Sequence, residues 1–358
     1  MLRPGRHVRL SLRSERNFTL HCKRLVCLSA AAIVAFMATG VASASAASLS
    51  GAGSTLVQPL EALWASGYQS STGTSISYAG VGSGTGISDI TAGLVDFGAS
   101  DAPLSAAQQG QCPNCVQMPW ALSATAVGFH LNGIGSLDLS GKVLAEIYLG
   151  QITKWNNSAI KALNKKTKLP NRKITVIYRS DGSGDTYAFT NYLYHVSSAW
   201  AGKVGPPATT VSFPTGVQGK GNAGVTSILA NTNGGIAYVA ASYLIQQGGL
   251  GAIAVENAAG KFTYPNLKNI SAAAAAFTSV PSNNAISIVD PPKRAKLAYP
   301  ISTYTYVIVP KNTGKAALLQ GWIRYALTTG QAFGAKLDFA PLPSAVVTAA
   351  SNTLNSLS

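Results

Sequence analysis

Three glycine-rich segments of the 358-residue chain combine backbone N–H donors with hydroxyl side chains, a combination suited to binding an anion. They are residues 50–55 (SGAGST), 80–86 (GVGSGTG) and 179–186 (RSDGSGDT), and each precedes a run with helical spacing. Glycine permits positive φ and close backbone approach, and Ser or Thr is typical of a helix cap. A helix N-terminus attracts anions through its free N–H groups and its dipole. One such segment alone is more typical of an ordinary capped helix, but three could enclose a small oxyanion without a metal.

Two charged positions lie next to these segments. Arg179 ends a predicted strand, where its guanidinium could bind an oxyanion through two N–H groups, and Asp181 could hold that guanidinium in place. Asp101 follows another predicted strand, and an ionised carboxylate there can only accept a hydrogen bond. It would therefore admit a protonated anion such as phosphate and repel sulfate. The alternatives are a surface ion pair for Arg179 with Asp181, and a capping role for Asp101.

Motifs for other chemistry are broken. Thr85 occupies the third glycine position of the G-x-G-x-x-G dinucleotide pattern, and Lys220 is not followed by the Ser or Thr of a P-loop. No G-x-S-x-G surrounds Ser83 or Ser183, which argues against a hydrolase nucleophile. The sequence therefore gives no support to nucleotide binding or to serine hydrolysis.

The cysteines and histidines indicate structural roles more than catalytic or metal-binding ones. Cys112 and Cys115 form a C-x-x-C motif, for which we predict a local disulfide, with a redox or zinc role as the alternative. His130 and His195 lack the spacing of metal ligands and are predicted to be structural. We accordingly expect no metal site and no cofactor.

Short apolar runs alternate with helical patterns along the chain, which predicts an α/β architecture. Repeats are not found, and no Pro/Ser-rich linker divides the chain, so two domains would be joined by strands. We predict strands at residues 75–78, 96–99, 125–131, 174–178, 235–239 and 303–309, and helices at 56–68, 142–148, 185–194, 225–230, 272–276, 316–327 and 330–337.

The formal net charge is +15, from 27 basic and 12 acidic residues, but much of it is concentrated at the N-terminus. Seven basic residues precede position 25, an apolar run covers residues 25–42, and an A-x-A tract ends at Ala46. This order predicts an export signal peptide over residues 1–46, with a transmembrane anchor as the alternative. The remaining surplus of nine is not interleaved with aromatic residues, so we expect no nucleic-acid binding.

At the glycine-rich segments the sequence resembles the phosphate-binding proteins of the phosphate ABC transporter, the PstS family. The matching motifs span almost all of the chain after residue 46 in the family's order, which makes the resemblance specific. They are residues 51–55 (GAGST), 95–104 (VDFGASDAPL), 147–150 (IYLG), 179–184 (RSDGSG), 219–222 (GKGN), 299–302 (YPIS) and 342–343 (LP).

The resemblance implies a type II periplasmic-binding-protein fold, in which two α/β lobes joined by a two-strand hinge hold one dehydrated phosphate. We expect residues 47–129 and 302–358 to form lobe I and residues 130–301 to form lobe II. Closure of the lobes on the ligand would then present a surface to a membrane permease.

The resemblance also assigns the ligand-binding residues, with Asp181 in support of the arginine: Thr55, Leu56 through its N–H, Ser83, Asp101, Arg179, Ser183 and Gly184. Two positions depart from the family pattern. Leu56 replaces a frequent aromatic residue, and Asp185 replaces a frequent threonine, with Thr186 next in the chain. Either Asp185 contributes its N–H alone, or Thr186 supplies the missing hydroxyl.

The favoured hypothesis is a monomeric, exported solute-binding protein, located in the periplasm or at the cell surface, that delivers inorganic phosphate to an ABC permease. One alternative is an exported phosphatase or phosphoryl-transfer enzyme, which would normally need a metal or an activated nucleophile. The other is a binder of sulfate or molybdate, against which Asp101 argues.

Overall fold

The computed structural model describes residues 47–358, so the predicted signal peptide and its cleavage after Ala46 lie outside the described residues. The strands are β1 Ser48–Gly53, β2 Ser75–Gly80, β3 Phe97–Ser100, β4 Cys115–Phe129, β5 Ser136–Leu139, β6 Thr175–Arg179, β7 Val217–Gly219, β8 Gly235–Ala240, β9 Gly251–Glu256, β10 Phe262–Thr263 and β11 Ser302–Pro310. The helices are α1 Gln58–Thr72, α2 Ser83–Thr91, α3 Ala106–Gln111, α4 Gly141–Tyr148, α5 Ser158–Leu163, α6 Gly184–Val196, α7 Ser198–Val204, α8 Gly221–Ala230, α9 Ala241–Gln246, α10 Leu267–Ala274, α11 Ala316–Leu327 and α12 Ser344–Leu354, with a 3₁₀ helix at Thr329–Leu337.

The strands form one mixed sheet in the order β2-β1-β3-β11-β4-β8-β6-β7, and β9 adds a branch that carries β5 and β10. β1 is parallel to both β2 and β3, and β6 is parallel to both β7 and β8. The long β4 connects these two parallel sets. Its partner changes from β11 to β8 between Ala124 and Thr125.

Helices cover both parallel sets and enclose an aromatic core on each side of β4. On one side Trp64 packs edge-on against Trp120 at 5.2 Å between ring centroids, and Trp322 joins them. On the other side Phe189 stacks on Tyr238 at 4.7 Å. β3 and β8 are buried at every position, as is typical of strands covered on both faces.

Most of the predicted elements are confirmed, with differences at the ends. Residues 330–337 lie in a 3₁₀ helix rather than an α-helix, and residues 125–131 overlap the end of a 15-residue strand. Residues 51–53 continue β1 instead of forming a loop, because they pair with both neighbouring strands. The predicted Cys112–Cys115 disulfide is present. Among residues 47–358, no helix has the length and apolarity needed to span a bilayer.

Candidate anion-binding site

The predicted site residues converge because they follow two sets of parallel strands that run in opposite directions, so that the carboxyl ends of the two sets face each other near the middle of β4. Ser54 and Thr55 follow β1, Ser83 follows β2, and Asp101 follows β3. In the second parallel set, Arg179 ends β6 and the start of α8 follows β7. Ligand sites in open α/β sheets form at such carboxyl ends, where loops meet helix N-termini. The architecture therefore brings together segments that are up to about 200 residues apart in sequence.

The Asp101 carboxylate lies at the centre of the first group. It accepts hydrogen bonds from the hydroxyls of Ser54 at 2.5 Å, Thr305 at 2.8 Å and Ser83 at 3.3 Å. An ionised carboxylate has about four acceptor positions, so these three bonds leave one for a ligand. Asp101 is thus able to accept one proton-bearing ligand oxygen.

Burial controls the ionisation of this group. Asp101 is 1% exposed, and burial together with the nearby Asp185 carboxylate raises its pKa to about 7. The hydroxyls of Ser54 and Thr305 and the charge of Arg179 act in the opposite direction. The carboxyl group therefore loses its proton as pH rises through about 7. Below that pH it can donate a hydrogen bond, and above it the group only accepts.

Arg179 is held by two carboxylates in the second group. Its Nε and Nη2 bond Asp181 Oδ1 and Oδ2 at 2.8 and 2.5 Å, and its Nη1 bonds Asp185 Oδ2 at 3.1 Å. Burial lowers the pKa of Arg179, but these carboxylates outweigh burial and raise it above its ordinary value. Likewise burial raises the pKa of Asp181, but the guanidinium lowers it overall. The predicted pairing of Asp181 with Arg179 is confirmed, and the arginine is fully charged and rigidly oriented.

Asp185 and Thr186 point to different partners. The Asp185 carboxylate accepts bonds from Thr125 Oγ1 at 2.7 Å and Asn222 Nδ2 at 2.8 Å, besides Arg179. Burial raises the pKa of Asp185, although Arg179 and these two donors oppose the rise. Thr186 instead bonds the phenol of Tyr238 at 2.7 Å, and Tyr238 accepts the Arg179 N–H. Of the two, therefore, Asp185 lies beside the arginine side chain.

Ser83 joins the two groups. Its hydroxyl accepts N–H groups from Asp101 at 3.2 Å and Gly184 at 3.0 Å, while it donates to the Asp101 carboxylate. Gly184 begins α6, and Ser183 caps that helix by accepting the Thr186 N–H at 3.3 Å. The N-terminus of α6 is therefore directed at the loop after β3, as an anion site at a helix start requires.

Glycine is needed where these loops touch. A Cβ on Gly184 would lie 2.4 Å from Asp101 Cβ and 2.7 Å from Asp101 N. Gly82 has a φ of +97°, and a Cβ there would lie 2.3 Å from Asp181 Oδ2. Contacts below 3.0 Å force a displacement, so only glycine lets the two groups approach to hydrogen-bonding distance.

The first glycine-rich segment, residues 50–55, differs from its prediction. Thr55 does not cap a helix, because α1 begins later, at Gln58, after the N-cap Val57. Ser54 makes the turn instead, accepting the N–H groups of Leu56 and Val57 at 3.0 and 3.3 Å. The second segment also lacks the expected hydroxyl cap, since Gly82 is the N-cap of α2. Of the three glycine-rich segments, only residues 179–186 place a hydroxyl, that of Ser183, on an N–H group of the following helix.

Thr55 connects the first group to the N-terminus of α8. Its Oγ1 accepts both the N–H and the Nδ2 of Asn222, at 3.2 and 2.9 Å. The hydroxyl proton of Thr55 remains available to donate. A cavity of about 250 Å³ adjoins this contact, lined by Thr55, Gln58, Gly80, Val81, Asp181, Lys220, Gly221, Ala223 and Tyr243.

Five buried residues that orient the site were not predicted from the sequence: Ser54, Thr125, Asn222, Tyr238 and Thr305. Asn222 belongs to the GKGN motif and Ser54 to the GAGST motif, so both lay within recognised segments without an assigned role. The other three lie in strands and showed no signal that would separate them from ordinary core residues. Within residues 47–358, no three His, Cys, Asp or Glu side chains form a metal-binding group. His130 and His195 bond backbone carbonyls, in accordance with structural roles.

Comparisons with known proteins agree with this geometry. The family model described as a PBP superfamily domain matches residues 39–329. The phosphate-binding protein PstS of Xylella fastidiosa strain Temecula1 is 37% identical over 302 residues, which cover 82% of this chain and 81% of that protein.

Two solved structures share the fold. One, a high affinity periplasmic phosphate-binding protein bound with phosphate, has a TM-score of 0.69 at 23% identity and covers 84% of this chain and 92% of that one. The other, an ABC-type phosphate transport receptor from Vibrio cholerae, has a TM-score of 0.54 at 18% identity and covers 82% and 100%.

These matches confirm the predicted α/β periplasmic-binding-protein fold. The curated relative carries the name of a binding protein, which supports the expectation that the chain is not an enzyme. Since the family model and the curated relative both cover most of its length, the chain belongs to the PBP superfamily and, within it, to the PstS family.

Proposed function

We propose that this protein is an exported receptor that captures inorganic phosphate between two lobes and delivers it to an ABC-type permease. The ligand-binding residues are Thr55, Leu56, Ser83, Asp101, Arg179, Ser183, Gly184, Asp185 and Thr186, with Asp181 in support. The names of the PstS relative and of the transport receptor support phosphate as the ligand and transport as the role, and the residue assignments are our own proposal.

The observation that carries the proposal is the combination of one free acceptor with several free donors. The Asp101 carboxylate has one acceptor position left after its three hydroxyl bonds. A guanidinium has five N–H donors, and Arg179 uses three of them on Asp181 and Asp185, which leaves two. A hydrogen phosphate ion, with one O–H and several bare oxygens, matches this set.

The same combination supports discrimination against sulfate. Sulfate carries no proton near neutral pH, so one of its oxygens would face the ionised Asp101 carboxylate without a hydrogen bond between them. That contact combines charge repulsion with desolvation of two acceptors in a site where Asp101 is 1% exposed. Specificity would thus come from a carboxylate, while the binding energy would come from Arg179 and from the Asp185 N–H at the start of α6, since Ser83 and Ser183 already accept the N–H groups of Gly184 and Thr186.

Lobe closure is the step that would link binding to transport. Thr55 contacts Asn222, and Ser83 contacts Gly184, so residues assigned to lobe I bond residues assigned to lobe II. We place the hinge in β4 and β11, with residues 47–129 and 302–358 in lobe I and residues 130–301 in lobe II. A ligand that bonds both sides would favour the closed form, which the permease would recognise.

Competition calorimetry on residues 47–358 tests the binding step. We expect each monomeric chain to bind one phosphate ion. Sulfate and molybdate should fail to displace it well above pH 7, where Asp101 is ionised. The Asp101→Asn variant, whose amide can donate, should bind sulfate better relative to phosphate. Equal affinity of the unsubstituted protein for sulfate and phosphate would disprove the proposed specificity.

Export and delivery need separate measurements in cells. Fractionation followed by N-terminal sequencing should place the protein outside the cytoplasm with Ala47 at its start. Stimulation of phosphate uptake or of ATP hydrolysis by the reconstituted permease should require added receptor. If the cytoplasmic fraction contained the full-length chain, the proposed export would be wrong while phosphate binding could still stand.

A further inference from the structure

The second lobe carries a dense group of positive charges that the phosphate site does not use. We call residues 154–173 the basic segment, which contains Lys154, Lys161, Lys165, Lys166, Lys168, Arg172 and Lys173. No acidic residue occurs between Glu146 and Asp181. Since residues 47–358 have a surplus of nine positive charges, these seven account for most of it.

The seven charges are exposed and unpaired. All seven side chains are solvent-exposed. In the described part of the chain, no carboxylate lies within 4.0 Å of their charged nitrogens. Glu146 is directed to Lys142 instead, at 4.0 Å, while Asp138 shares the lining of a 460 Å³ hollow with Lys165 and Lys166. The segment therefore presents nearly uncompensated positive charge to solvent.

The segment is held in a defined shape rather than extending as a free tail. Lys154 and Lys173 are antiparallel partners, and the Trp155 N–H bonds the Arg172 carbonyl at 2.9 Å. The Trp155 ring is buried, and its indole N–H bonds Gly234 at 2.9 Å. Like charges directly opposite one another destabilise paired strands. A partner of opposite charge would relieve that repulsion.

The basic segment lies at the end of β6 opposite the anion site. It immediately precedes β6, whereas Arg179 is the last residue of that strand. Five residues of strand separate the two by roughly 15 Å. A surface bound to the basic segment would therefore leave the Arg179 site free to exchange its ligand.

We propose that the basic segment binds the surface of an anionic phospholipid bilayer and retains the protein there. This inference rests on the proposed function, because a receptor that serves a permease works beside a membrane. Clustered lysines and arginines are attracted to anionic lipid headgroups at about 1 kcal/mol each, which is a factor of about five in affinity. The segment's one aromatic ring, Trp155, is buried, so it offers no stacking platform of the kind that single-stranded nucleic acids use.

Vesicle sedimentation with two charge-matched variants tests this inference. The first variant replaces four lysines of the basic segment by glutamine: Lys161, Lys165, Lys166 and Lys168. The control replaces four exposed lysines outside it: Lys203, Lys261, Lys296 and Lys336. Both variants lose the same net charge, so a difference between them reports the location of the charge. Circular dichroism melting verifies folding, and phosphate calorimetry on the same samples tests the proposed function independently.

We expect the unsubstituted protein to sediment with phosphatidylcholine vesicles only when they contain phosphatidylglycerol, and to be released by salt. The basic-segment variant should bind these vesicles more weakly by about fivefold for each lysine removed, with unchanged phosphate affinity. The control should retain most of its vesicle binding. Equal loss in both variants, binding to vesicles without phosphatidylglycerol, or stronger binding to a single-stranded RNA than to the vesicles would overturn the inference.

Discussion

Replacement of Arg179 by lysine separates the charge of this residue from its geometry. The guanidinium reaches Asp181 through Nε and Nη2 and Asp185 through Nη1, which leaves two N–H donors for a ligand. Lysine keeps the positive charge but has three donors on a single nitrogen, so it cannot reproduce this fork. The variant therefore tests whether the planar guanidinium group is needed for phosphate binding.

The size of the effect follows from the two lost bonds. Hydrogen bonds to charged groups contribute about 1.5–3 kcal/mol each, so the loss of both weakens binding by about 3–6 kcal/mol. That range corresponds to an increase of about 150-fold to 20,000-fold in the Kd for phosphate. We expect Arg179→Lys near the lower limit, because the ammonium keeps its Coulomb attraction to the anion, and Arg179→Ala near the upper limit.

Isothermal titration calorimetry near neutral pH measures both variants. Arg172→Lys is the matched control, since Arg172 is exposed and its Nη1 bonds only a backbone carbonyl, that of Asn233 at 3.3 Å. Thermal melting identifies any variant that fails to fold. If folded Arg179→Lys bound phosphate within about threefold of the unsubstituted protein, the fork geometry would not matter and the reasoning would be refuted.

Three further predictions concern the glycine contact, the pH dependence of specificity and a buried carboxyl group. Gly184→Ala should weaken phosphate binding at least about tenfold, because its Cβ would overlap Asp101. Gly202→Ala should leave binding unchanged, because no atom lies within 4 Å of a Cβ at that position. Equal Kd values for the two variants in calorimetry would contradict this prediction. Sulfate should compete better as pH falls through about 7, because Asp101 then gains a proton to donate; a pH-independent ratio of affinities would argue against it. Burial raises the pKa of Glu61 from 4.5 to about 8, so ionisation opposes folding and stability falls as pH rises through that interval. Glu61→Gln should remove this slope and stabilise the protein near pH 7 by at most about 3 kcal/mol in denaturant unfolding, a gain that should vanish near pH 4.

The third glycine-rich segment, residues 179–186, could be predicted because its chemistry is local. Glycines next to Ser183 permit the turn into α6, and the free N–H groups of that helix follow from backbone geometry. The pairing of Arg179 with Asp181 spans two residues, so it too was visible in the sequence. The alternation of apolar runs gave the α/β class and the positions of most strands for the same reason.

Only the tertiary structure shows which groups contact Asp101, Thr55 and Arg179. Thr305 bonds Asp101 across 204 positions, and Asn222 bonds Thr55 across 167, distances over which no sequence pattern specifies contact. The choice between Asp185 and Thr186 depended on which side of α6 faces Arg179. The pKa of Asp101 near 7 results from burial, which only the packed chain creates. Sequence thus determined the types of donor and acceptor, whereas long-range packing determined their partners and their charge.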